Sequence, residues 1–179
     1  MIFKDLKEMR SSFVKRFNSV LSEKSLLYVL GDIGDNGQIV SEFFSNIKCP
    51  IAVILGNHDK NANFYYRCGA VWVGYNTKIL VGGNMVTLSH CPMRDVFRED
   101  VTGMRGATKG EMWHKETKHG RLFSVEDEGQ FHLHGHCHSS PNQHGEVFLE
   151  RQIDIGVDGW KYTPVSDSQI ESYMKKYKG

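Results

Sequence analysis

The stretch FHLHGHCHSS, residues 131–140, carries histidine at every second position from His132 to His138, four of the nine histidines in the chain. Imidazole is the commonest protein metal ligand and a proton carrier near neutral pH. The companions that such chemistry requires lie elsewhere in the sequence. Four short apolar runs each end in residues of ligand type: SLLYVL in GDIGD, IAVIL in GNHD, MVTLS in His90, and QFHLHG in HCH. Asp32 and Asn57 offer oxygen, while His90, His136 and His138 offer nitrogen. That mixture suits a divalent ion of intermediate hardness, Mn2+, Fe or Zn2+, whereas a thiolate-rich set selects Zn2+ or an iron–sulfur cluster. A carboxylate has two oxygens, which makes Asp32 the candidate bridge between two ions. Paired ions about 3.5–4 Å apart can hold a water nucleophile and a phosphoryl oxygen for in-line displacement.

These residues need elements to position them. Residues 5–22 read as a helix: Asp5 and Glu8 have capping-box spacing, and Phe3, Leu6, Met9, Phe13, Phe17, Val20 and Leu21 recur at helical intervals. SLLYVL (25–30) and IAVIL (51–55) read as buried strands, stopped by Gly31 and Gly56, with a helix over 37–48 between them. A short helix is expected from Asn61 to about Gly69. VWVGYNTKIL (71–80) and NMVTLS (84–89) read as strands around a Gly82–Gly83–Asn84 turn. QFHLHG, EVFLE and QIDIGV are further strands, and Ser166 with Gln169 opens a last helix that lines up Ile170, Tyr173, Met174 and Tyr177. Alternating helices and buried strands, then mostly strands, indicate an α/β sandwich. In such sheets the carboxyl ends of the strands aim their loops at one crevice, which is where all four ligand-bearing runs terminate.

Each feature also has a plainer reading. A lone HxH is two surface histidines, and only the three partner runs make His136 and His138 ligands. His132 and His134 fall on the strand side of Gly135 and read as buried, hydrogen-bonded side chains. Asp35 is a carboxylate that could orient a ligand, or an Asx turn ahead of the 37–48 helix. Cys91 and Cys137 read as small buried fillers. From Pro92 to about Glu128 the periodicity disappears, giving a long loop insertion over about 92–130. Its segment 103–121 carries five Lys or Arg and two Glu. It reads equally as a solvated loop or as a cover meeting an anionic substrate, with Trp113 able to stack on an aromatic group.

In that order, and at these strand ends, GDIGD, GNHD, SH and GHCH resemble the calcineurin-like metallophosphoesterase superfamily. GVDGWKYTPVS resembles the tail of its small phage and bacterial members. The resemblance covers about residues 5–165. It implies a metallophosphoesterase-type α/β fold, a β-sandwich flanked by helices (α/β/β/α), in a single domain spanning 1–179. It also implies metal-dependent hydrolysis of phosphoesters by metal-activated water, with one or two divalent ions per chain: Mn2+ first, then Fe, Zn2+ or Ni2+. Asp32 would bridge the ions; Asn57, His90 and His136 would complete one shell, and His138 would belong to the other. His58 would donate a proton to the leaving oxygen or contact the phosphate, oriented by Asp59. Asn36 stands where the protein phosphatases of the superfamily carry arginine, which favours a phosphodiesterase or small-molecule phosphatase.

One family motif has no match. The superfamily opens with Asp-x-His at the end of a first strand, whereas the only acids before Gly31 are Asp5, Glu8 and Glu23, and the first histidine is His58. The first strand is therefore expected to be missing, leaving Asp32 and His138 alone at one metal. Three readings stay open: the motif is encoded upstream, the 92–130 insertion compensates through His114 and His119, or the protein is a mononuclear, impaired or non-catalytic binding module.

The bulk properties agree with an ordinary globular domain of 179 residues. Lys plus Arg number 22 against 21 Asp plus Glu, so no global basic surface recommends nucleic acid as a partner. No apolar run approaches the roughly 20 residues that cross a bilayer, and MIFKDLKEMR lacks a secretion-signal core. Four cysteines without CxxC spacing fit free thiols in a reducing cytoplasm. A small phosphoester substrate is the expected partner, and no membrane is expected.

Overall fold

The computed structural model describes residues 3–93, 123–138, 148–149 and 151–178. Helix α1, Leu6–Val20, starts where Asp5 accepts the amide of Glu8 at 2.8 Å. Glu8 returns the bond to the amide of Lys4, one residue outside the usual capping-box partner. Strand β1 (Leu27–Leu30) leads into α2 (Gly37–Ser45), and β2 (Ile51–Ile54) into α3 (Ala62–Cys68). Asn36 and Asn61 cap these helices with their side-chain oxygens, and Gly69 ends α3 at a φ of 108°.

The expected strand over 71–80 is two strands in two different sheets. Strand β3, Trp72–Gly74, lies parallel to β2, while β4, Asn76–Val81, pairs antiparallel with β5, Asn84–Ser89. Gly74 permits the break: a Cβ there would lie 2.5 Å from the ring of Trp72. A three-stranded parallel sheet, β1-β2-β3, therefore faces a five-stranded mixed sheet in the order β4-β5-β6-β8-β7. Here β6 is Phe131–His134, β7 Phe148–Leu149 and β8 Gln152–Asp154. A 3-10 turn, Val157–Trp160, and the helix α4, Asp167–Lys178, complete the chain. Ser166 and Gln169 make the expected reciprocal cap at 2.9 and 3.3 Å.

Strand alternation distributes the core. Leu27, Val29, Ile51, Val53 and Leu55 pack towards Phe17 of α1, Val40 and Phe44 of α2 and Tyr65 of α3. Leu30 and Ile54 point the other way, into a cluster with Val86, Leu88, Leu133, Ile153 and, from α4, Ile170 and Met174. Helices thus flank a pair of packed sheets, as the sequence pattern requires.

The second sheet has an unusual reverse face. Between its apolar residues stand Thr87, Ser89, His132, His134, Gln152 and Asp154, all buried. His132 satisfies both ring nitrogens there, at 2.8 Å from Ser89 Oγ and 3.3 Å from Gln152 Oε1, and burial pushes its pKa well below the ordinary histidine value. Gln152 Oε1 also accepts the amide of Met93 at 2.7 Å. At the ends of the expected 92–130 insertion the chain is part of the core: Phe123 is buried, and its carbonyl accepts the amide of Cys91 at 2.8 Å. Residues 94–122, including His114, His119 and Trp113, lie outside the described residues.

Candidate metal centre

Each ligand-type residue sits just past the carboxyl end of a strand: Asp32 after β1, Asn57 after β2, His90 after β5, and His136 and His138 after β6. Four of them converge on one atom. The Nε2 of His90 lies 3.0 Å from Asn57 Oδ1, 3.0 Å from His136 Nδ1 and 3.5 Å from Asp32 Oδ2. His90 is buried, and its Nδ1 lies 2.7 Å from the carbonyl of Leu30. A carbonyl can only accept, so Nδ1 carries a proton, and in the neutral ring Nε2 presents a lone pair towards the amide and carboxylate oxygens. This donor set matches what a divalent transition ion takes.

Tight backbone geometry holds the donors together. Asp32, His136 and His138 have φ of 55°, 66° and 49°, left-handed values that cost L-residues about 1–3 kcal/mol each and cluster at functional sites. Gly31, at φ 88°, brings β1's loop so close that a Cβ would lie 2.4 Å from His90 Nδ1 and 2.7 Å from the backbone of Gly56. At Gly56 a Cβ would lie 2.3 Å from Asp32 Oδ1. Only glycine fits between these loops.

Asp59 gathers donors from both loops. Its carboxylate accepts the amides of Asp32 (2.9 Å), Ile33 (3.0 Å) and Gly56 (2.8 Å), and the hydroxyl of Tyr65 at 2.5 Å. It is the clamp between the two loops that carry Asp32 and Asn57. Desolvation, reinforced by this carboxylate, raises the Tyr65 pKa far above the ordinary phenol value. His58 is exposed, and its amide donates to Asp32 Oδ1 at 3.2 Å.

His138 is placed differently from the other three imidazole and amide ligands. Its side chain is 69% exposed and its Nδ1 lies 3.0 Å from Asp158 Oδ2 on the 3-10 turn. Asp35 is exposed and ion-paired with Lys60 at 3.9 Å, while the capping role ahead of α2 belongs to Asn36. Cys91 brings a donor atom within 4.8 Å of those of His90 and His136. Sequence reasoning missed Tyr65 and Asp158; GVDGW was noted only as a string, and nothing marked Tyr65 apart from its place on a helical face.

The sequence of calcineurin-like phosphoesterases matches residues 5–160. The chain belongs to the calcineurin-like phosphoesterase family. The Gene 66 protein of Mycobacterium phage L5 is 28% identical over 176 residues, covering 87% of this chain and 76% of that one. In fold, the chain resembles the protein of unknown function AQ665 from Aquifex aeolicus, with a TM-score of 0.62 and 19% identity over 94% of this chain and 87% of that one. An archaeal phosphodiesterase superimposes more loosely, with a TM-score of 0.41 and 14% identity over 82% of this chain and 76% of that one. Family membership fits the sandwich fold, and the convergent side chains are a possible ligand group for the divalent metals that the family usually binds.

Proposed function

We propose that this chain hydrolyses phosphoesters with a divalent ion held by Asp32, Asn57, His90 and His136, acting as a phosphodiesterase or small-molecule phosphatase. The observation that carries the reading is the convergence of Asn57 Oδ1, His136 Nδ1 and Asp32 Oδ2 on Nε2 of His90. The chemistry such an ion supplies when bound is Lewis acidity, which activates water and draws charge from a phosphoryl oxygen. The residues of the chain do the rest. Asp59 fixes the distance between the Asp32 and Asn57 loops, and the Leu30 carbonyl fixes the tautomer of His90. The exposed His58 delivers a proton to the leaving oxygen, a general-acid role that imidazole commonly takes. Mn2+ is the first candidate ion, followed by Fe, Zn2+ and Ni2+. Four free, buried cysteines support a reducing compartment, which we take to be the cytoplasm. No described helix is long and apolar enough to cross a membrane.

A non-catalytic, metal-bearing binding module is the second reading. It draws on His138, whose ring nitrogen pairs with Asp158. Hydrolysis of bis-p-nitrophenyl phosphate and p-nitrophenyl phosphate with added Mn2+ separates the two. Turnover that falls in His58→Ala supports the hydrolase, and the ratio of the two substrates separates diesterase from phosphatase. Metal binding without turnover by the folded chain supports the module.

A further inference from the structure

A second group of donors lies on the reverse face of the five-stranded sheet. His134 ends β6 and Asp154 ends β8, and the two are register partners in adjacent parallel strands. Cys137 follows in the loop after β6. The three are 6%, 1% and 6% exposed respectively, and one ligand atom from each lies within 4.8 Å of the others. None of them is used by the His90 centre. We propose that His134, Cys137 and Asp154 form a separate structural site for a thiophilic divalent ion, Zn2+ in first place.

The donor chemistry selects the ion. Nitrogen, thiolate sulfur and carboxylate oxygen together are a zinc set, whereas Mn2+ and Mg2+ avoid thiolate. The donors are also braced as metal ligands are. His134 Nδ1 donates to the carbonyl of Gly135 at 2.9 Å, which puts the lone pair of the neutral ring on Nε2. Asp154 Oδ1 accepts the amide of Gly156 at 2.7 Å, which fixes the plane of the carboxylate. An ion held here would use all three side chains.

The loop geometry delivers the thiol. Residues on both sides of Cys137 hold left-handed φ, 66° at His136 and 49° at His138, and the Cys137 amide closes on the Gly135 carbonyl at 2.7 Å. The loop thereby sends His136 towards His90 while Cys137 is buried beside β6 and β8. An ion here would pin the loop that carries His136 and His138 to the sheet. The proposal is independent of whether the chain hydrolyses anything.

The test uses the whole chain loaded with Zn2+ and, in parallel, with Co2+ as a spectroscopic probe. X-ray absorption at the zinc edge is expected to show a sulfur scatterer at about 2.3 Å. The Co2+ form is expected to show a thiolate charge-transfer band in the near ultraviolet. Cys137→Ala should remove the band and one metal per chain, with circular dichroism confirming the fold. Cys91→Ala and His90→Asn should keep the band. A folded wild-type chain with neither sulfur scattering nor a thiolate band overturns the site, as does a band that survives Cys137→Ala or vanishes in Cys91→Ala. Because His90→Asn removes the other centre and leaves this band, failure of either site is read separately.

Discussion

At the scale of single residues, function depends on which atoms face one another, and residue type alone indicates only part of that. Asp32, Asn57, His90 and His136 were legible because each is a ligand-type residue placed just after an apolar strand, and the structure brings all four to one point. Replacing His90 by Asn is expected to lower Mn2+ affinity at least about 100-fold, since it removes the atom on which the others converge. Isothermal titration measures this, and unchanged affinity would remove His90 from the shell. Asp59 was legible as part of GNHD but not in its role, because a carboxylate that gathers three amides and a hydroxyl can be recognised only where the loops meet. Asp59→Ala leaves these donors unanswered and should cost about 3 kcal/mol or more of stability. Urea denaturation gives the value; a cost below 1 kcal/mol, on the order of one exposed ion pair, would show that water replaces the clamp without loss.

At the scale of elements, strand ends and helix caps were legible, while assignment of a strand to a sheet was not. VWVGYNTKIL has one continuous β pattern, yet its first half continues the parallel sheet and its second half begins the antiparallel hairpin. The choice depends on which neighbouring edge each half meets, a contact between residues far apart in sequence. The glycines before the ligands carried a clearer message. Gly56→Ala would press a methyl group into Asp32 Oδ1 and the His90 ring, so Mn2+ binding should fall sharply even where the fold survives. Titration of the folded variant with wild-type affinity would refute that close approach. Helix α3 adds a pH dependence through Tyr65. Its raised pKa means the native state keeps a proton that the unfolded chain releases above about pH 10. With fewer protons bound in the unfolded state, stability must fall as pH rises through that range. Tyr65→Phe is expected to lose about 1–3 kcal/mol near neutrality, by removing the hydroxyl from Asp59 and Gly34, and to show a flatter alkaline decline. Urea midpoints at about pH 8 and about pH 10.5 test both points, and parallel slopes for the two proteins would assign the alkaline loss to other groups.

At the scale of the molecule, the family resemblance and the alternation of elements made the sandwich legible. His132 and His134 were legible as buried, hydrogen-bonded side chains, but the rest of that polar face, Thr87, Ser89, Gln152 and Asp154 from the two neighbouring strands, was not. What the architecture adds is a mechanical role for the metal. Asp32 and Asn57 belong to the three-stranded sheet, whereas His90 and His136 belong to the five-stranded one. Besides apolar packing around Leu30, Ile54, Val86, Leu88 and Leu133, His90 links the sheets at this end through the Leu30 carbonyl, Asn57 and Asp32. An ion held by all four residues would therefore fasten the two sheets together, and only the folded state can assemble that shell. At 100 times its dissociation constant such an ion adds about 2.7 kcal/mol. For a chain of this size that corresponds to a rise of about 5–10 °C in Tm. Thermal unfolding with Mn2+ against a chelator should show the shift, and His90→Asn should abolish the part that belongs to this centre. A wild-type Tm indifferent to both Mn2+ and chelator would mean that the four donors do not hold an ion across the sheets.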